Sequence, residues 1–126
     1  MNDFDKIIWR ETLTLVEFFA TWSGPSLALD PVINRFRREM NHRAEVYRID
    51  VDDEQLRDVV RRHRITRIPA LIFFRRGEML GRHDGPLTYD RLTKMLDEIE
   101  RTEGIREPAE LSQVQISSCQ ESSSRR

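Results

Sequence analysis

Short apolar runs and helical stripes alternate along the first hundred residues. LTLVEFFA, residues 13–20, is dense in β-formers with one charge, Glu17, and predicts a strand buried on both faces. Ahead of it, Asn2 or Asp3 can cap a short helix in which Phe4, Ile7 and Ile8 share a face. From Ser26 to about Asn41, the residues Leu29, Val32, Ile33, Phe36 and Met40 form one helical stripe. Pro31 lies inside it and predicts a kink, because it lacks a donor and clashes with the preceding turn. AEVYRIDV, 44–51, predicts a second strand, and 53–63 a helix with Leu56, Val59, Val60 and His63 inward. Ile68-Pro69 leads into ALIFFRRGEMLGR, two strands joined tightly at Arg76-Gly77. A last helix over 88–102, capped by Thr88, carries Tyr89, Leu92, Met95, Leu96 and Ile99 on its apolar stripe. The order αβαβαββα is that of an α/β layer fold. Its β–α–β unit supplies a parallel pair and its hairpin an antiparallel half.

The pattern stops after residue 103. Residues 104–126 turn rich in Ser, Gln and charge, which predicts a flexible tail unable to offset its own ordering entropy. The expected organisation is thus one domain, 1–103, and a tail, 104–126. That tail dilutes the composition: 34% charged residues against 38% hydrophobic ones. Cys119 is the single cysteine, so no intrachain disulfide can form, and it reads as an exposed thiol with no His or second Cys nearby. A net charge of −1 argues against a general nucleic-acid or polybasic membrane binder. The positive charge of RDVVRRHRITR, 57–67, with Arg75, Arg76 and Arg82, is balanced by Asp97, Glu98, Glu100 and Glu103. It reads as a solvated face or a contact with an acidic protein. No apolar run reaches membrane-span length, and MNDFDKIIWR has no secretory pattern, so the cytoplasm is the expected location. No metal or cofactor is expected.

The residues that carry chemistry cluster around FFATWSGPS, 18–26, where a buried strand meets a helix. Ser23 can cap that helix, and Pro25 suits its first turn, where a missing donor costs nothing. A serine nucleophile would need a base, and none of His42, His63 or His83 stands in a segment expected to reach it. Glu17 places a charge inside an apolar run. It must be paired or neutralised, and Arg48 is the cation that strand alternation can bring to the same layer. Without that pair, Glu17 is expected to titrate above the ordinary value.

Taken together, these residues resemble the thioredoxin family, with WSGPS where the family carries Trp-Cys-Gly-Pro-Cys. Glu17 stands at the family's buried acid, Pro31 at the proline of its active-site helix, and Arg48 at a frequent lysine. Ile68-Pro69 matches its cis dipeptide, and Gly77 and Gly85 its hairpin and groove glycines. The resemblance covers residues 3 to about 103 and implies a thioredoxin fold. Because the first strand of longer members is missing, it implies a central mixed sheet of about four strands flanked by helices. Phe19 departs mildly from a frequent second Trp.

The serines are the serious departure. Dithiol exchange needs a low-pKa thiolate and a second thiol two residues on, and Ser23 and Ser26 supply neither. The resemblance then implies a redox-inactive module that takes a protein or extended peptide along Trp22, Gly24, Pro25, Ile68, Pro69 and Gly85. The rival is a disulfide reductase whose two cysteines, at 23 and 26, were replaced by serine, with Glu17 as its proton carrier. A third reading is an interaction subunit that uses the basic face.

Overall fold

The structure is a computed structural model in which residues 3–105 are described. The expected tail, from residue 106 on, Cys119 and the Asn2 cap lie outside the described residues. Four helices and four strands run in the order α1 (Asp3–Ile8), β1 (Thr14–Phe19), α2 (Gly24–Met40), β2 (Glu45–Asp50), α3 (Arg57–Arg62), β3 (Ala70–Arg75), β4 (Glu78–Asp84) and α4 (Tyr89–Glu103). The sheet order is β2-β1-β3-β4, with β1 parallel to β2 and antiparallel to β3. This is the expected mixed four-stranded sheet flanked by helices.

Side chains alternate across a strand, so the register sorts the core into two faces. On one face Val16, Phe18, Ile49, Ala70, Ile72 and Phe74 join Phe4 and Ile8 of α1 and Val59 of α3. On the other, Leu15 lies opposite Phe73 and Glu17 opposite Leu71. Phe36 of α2 meets Phe73 there, with ring centroids 6.4 Å apart. The hairpin closes at Arg76-Gly77, both with positive φ (54° and 78°), as a two-residue loop between right-twisted strands requires. The Trp9 ring covers Gly77 so closely that a Cβ there would collide with it.

Two expectations need correction. The helix over 53–63 is broken: Asp53 caps a 3-10 turn, Glu54–Leu56, and only Arg57–Arg62 is α-helical. The Asp53 carboxylate accepts from the Gln55 N–H, which tightens the first turn before the α-helix begins. The expected stripe on α2 narrows to Leu29, Ile33 and Phe36, joined by Ser26, while Val32 and Met40 stay partly exposed. Pro31 sits within α2, which continues through it as one element. Compactness divides the chain into Met1–Met95 and Leu96–Arg126. In the second unit the described residues Leu96, Ile99 and Glu100 are buried. The Ile105 N–H closes the helix end on the Glu100 carbonyl at 2.8 Å.

Candidate functional site

The sheet register gathers four loops at one end. The C-terminal end of β1 lies beside the end of β2 (Phe19 opposite Asp50) and the start of β3 (Phe18 opposite Ala70). Ala70 in turn lies opposite Asp84 at the end of β4. Residues 20–23, 50–53, 68–69 and 84–86 therefore leave the sheet together, at the carboxyl ends of the parallel pair, where open α/β sheets place ligands.

Both serine hydroxyls work as local acceptors. Ser23 is the N-cap of α2, extended at φ −94° and ψ 119°, and its Oγ accepts from the Ser26 N–H at 3.3 Å. The Ser26 Oγ accepts from the Ala20 N–H at 3.2 Å, tying the strand end to the helix start. Both residues are buried. Trp22 is the opposite case: 68% exposed, with its indole Nε1 donating to Asp52 Oδ2 at 2.7 Å. Pro25 lies in the first turn of α2, and a Cβ on Gly24 would meet nothing within 4 Å.

The Ile68-Pro69 peptide bond is cis. The Pro69 carbonyl accepts from the Gly85 N–H at 2.6 Å. Gly85 is buried at φ +95°, with the Arg67 guanidinium 3.2 Å from where a Cβ would stand. Neither backbone polar group of Ile68 bonds to another described residue.

Beneath these loops lies an ionic chain across three elements. Arg48 Nε meets Glu17 Oε1 at 2.7 Å, and its Nη2 meets Asp30 Oδ1 of α2 at 2.9 Å. The guanidinium also lies 4.2 Å over the Phe19 ring, two residues from Glu17 and hence on the same face. Glu17 is fully buried, and its Oε2 has no hydrogen-bond partner. Burial pushes the Glu17 carboxyl above its ordinary value, and the attraction and hydrogen bond of Arg48 only partly oppose this. The expectation that pairing would cancel the rise is thus corrected. Arg48 satisfies one oxygen and shares itself with Asp30, so desolvation wins.

Sequence reasoning missed Asp30, Asp52 and Arg67. Asp30 left a trace: it stands four residues after Ser26 and three before Ile33, an acid on the buried stripe of α2. Asp52 left none, since it meets Trp22 across thirty residues of chain. His63 packs with Phe4, Phe18 and Phe74 on the other face of the sheet, and His83 Nε2 meets the Pro86 carbonyl at 3.2 Å. Neither is placed as a base for Ser23. No group of three or more His, Cys, Asp or Glu among the described residues is arranged to hold a metal ion, and no helix among them is long and apolar enough to cross a membrane. The expected basic face is narrower than its sequence. Arg62 pairs with Asp5, Arg76 with Glu11 and Arg82 with Asp84.

A four-stranded mixed sheet, a capped helix after its central parallel strand and a cis-proline at the facing loop define a thioredoxin-type architecture. The chain belongs to the thioredoxin family, whose model matches residues 1–98. Thioredoxin-1 of Saccharomyces cerevisiae is 33% identical over 81 residues, which cover 64% of this chain and 76% of that one. Thioredoxin of Staphylococcus epidermidis is 30% identical over 96 residues, 76% of this chain and 89% of that one. The crystal structure of thioredoxin from Trypanosoma brucei brucei superposes with a TM-score of 0.70 at 26% identity, covering 78% of this chain and 83% of that chain.

Proposed function

We propose that this chain binds an extended protein segment at the loop end of the sheet, as a chaperone-like module, and carries out no dithiol exchange. The observation that carries this reading is an exposed aromatic, Trp22, at the same sheet end as the unpaired backbone of Ile68. Trp22 is held by Asp52, and the N–H and C=O of Ile68 have no described partner. An incoming strand can hydrogen-bond to Ile68 and lay an apolar side chain on Trp22, and nothing in that recognition needs sulfur. Two buried alcohols, each already engaged as an acceptor, have neither the acidity nor the bond-forming chemistry of a thiol pair.

The second reading is disulfide reduction, favoured by the relatives named thioredoxin. It requires cysteine at 23 and 26 in the natural protein, so the genomic codons at those positions decide it. The site would accept them. A thiolate at the N-cap would face the free N–H groups and positive dipole end of α2, and Glu17 would offer a buried carboxyl, raised above its ordinary value by desolvation, as the proton acceptor.

Insulin reduction with dithiothreitol as donor separates the readings. The serine protein is expected to give no turnover above the dithiothreitol blank, and the Ser23→Cys, Ser26→Cys variant to give clear turnover. Turnover by the serine protein would refute the redox-inactive reading. The groove is tested with carboxymethylated insulin B chain as the extended peptide, read by calorimetry. Trp22→Ala should weaken binding about tenfold, as loss of an aromatic anchor does. Unchanged affinity would remove Trp22 from the site.

A further inference from the structure

Most arginines of known partner in this chain are neutralised at short range. Arg10, Arg35, Arg48, Arg62, Arg76 and Arg82 each hold a carboxylate within 3.3 Å. No described carboxylate pairs with Arg57, Arg61 or Arg64, and these three, unlike Arg37, Arg38, Arg67 and Arg91, which also form no such ion pair, line one cavity. Their spacing of four and three residues puts all three on one side of α3 and its C-terminal turn. Between them opens a cavity of about 460 Å³ with Val60 and Ile65 as its apolar floor and Thr66 at its edge. Val60 and Ile65 rest on the apolar cluster of the core and remain only partly covered.

The backbone of that turn points the same way. The Arg64 N–H donates to the Arg61 carbonyl at 3.0 Å and the Ile65 N–H to the Val60 carbonyl at 3.1 Å, a Schellman ending. Its left-handed position is usually glycine, yet here Arg64 occupies it at φ +52°. Arg82 holds the turn by donating to the His63 and Arg64 carbonyls at 2.6 and 3.1 Å. A strained backbone is thus kept at a position where glycine would be unstrained, and what it presents is a guanidinium on the cavity rim.

We propose that this face of α3 docks an acidic protein segment carrying an apolar side chain. The side chain enters the cavity over Val60 and Ile65. Carboxylates on either side of it take Arg57, Arg61 and Arg64 in the forked geometry that guanidinium groups favour. A nucleic acid fits less well, since the lining offers no aromatic ring for a base to stack on and the chain has no surplus of cations. The site stands apart from the groove above, for neither Trp22 nor Pro69 lines it.

The test uses the full chain and a library of acidic heptapeptides. Asp and Glu flank a central position that is Leu, Phe, Trp or Ala. Binding is read by calorimetry and by the assigned methyl signals of Val60 and Ile65. A central Leu, Phe or Trp is expected to bind with Kd of about 100 μM or tighter at low salt, and Ala about tenfold more weakly. The Val60 and Ile65 methyls should shift while the Trp22 indole signal stays put. Arg57→Glu with Arg61→Glu, both at exposed positions, should cut affinity about tenfold or more with the circular dichroism unchanged. Arg64→Gly is the sharper variant: its melting temperature should hold or rise while affinity falls severalfold. A merely structural Arg64 would leave affinity alone. The proposal is overturned if no peptide binds below about 1 mM, if the Ala peptide binds as well as the rest, or if the shifts appear at Trp22. Tighter binding of a twelve-nucleotide single strand or of phosphatidylglycerol vesicles would overturn it equally.

Discussion

One face of the sheet closes on Phe4, Phe18, Phe74 and His63, and the other on Phe36 and Phe73 with Glu17, Arg48 and Asp30 among them. The same strands build both, with alternate side chains pointing each way. The first face is built mainly on apolar burial, and His63 within it sets its Nδ1 against the Val59 carbonyl at 2.9 Å. The second accepts a carboxylate with one oxygen unsatisfied, next to a half-open cation. Apolar burial is tolerant and non-directional. A buried ion depends on a single partner, so the second face should be the more sensitive to small changes in charge and pH.

The largest effect should come from the apolar face. Phe74→Ala or Phe18→Ala should cost about 3–5 kcal/mol in urea unfolding, because both side chains are fully or almost fully buried. A cost below about 1 kcal/mol would mean that the cluster collapses around the gap. Next comes the ionic face. Arg48→Met leaves Glu17 buried without its cation and should cost about 2–4 kcal/mol near pH 7, somewhat less than for a wholly buried pair because Arg48 is partly exposed. Replacing both partners, Glu17→Leu with Arg48→Met, should recover most of that loss. Failure to recover it would show that the charges contribute net stability.

Smaller effects follow from titration, with opposite signs on the two faces. Glu17 is raised from the ordinary 4.5, so its contribution is full below that value and is lost as pH rises through the native one. Glu17→Gln should remove this decline from the stability profile, with its effect near pH 4 within about 1 kcal/mol. His63 is lowered from the ordinary 6.5 by desolvation, against the opposing pull of the Val59 carbonyl. Its contribution is therefore full above that value and lost as pH falls through the depressed native one. His63→Leu should abolish the loss at the acid side, and nuclear magnetic resonance titration of the imidazole would read the native value directly. An ordinary His63 titration would place the ring in water, not among phenylalanines.

The elements were legible where the forces that make them are local. The run 13–20, the stripe of Leu29, Ile33 and Phe36, the Thr88 cap and the Arg76-Gly77 turn each follow from neighbours within four residues. The same holds for Ser23 as N-cap, where side chain and accepted N–H are three residues apart. The break between the 3-10 turn and α3 was not legible, since the apolar period of 53–63 runs across it.

Sequence alone determined that a buried strand and a capped helix flank two serines, Ser23 and Ser26, at the positions where the thioredoxin family carries its cysteines. It determined that Glu17 would need a partner and that Arg48 could be one. Tertiary structure decided what that partnership amounts to. Arg48 reaches Glu17 across thirty-one residues, divides itself with Asp30, and leaves the second carboxylate oxygen bare. It likewise decided that Asp52 would fix Trp22, and that Arg62, Arg76 and Arg82 would be spent on internal pairs while Arg57, Arg61 and Arg64 would not. Local periodicity reports which face a residue occupies. Only the register of distant strands and the end points of helices bring particular charges within the few ångströms at which they interact.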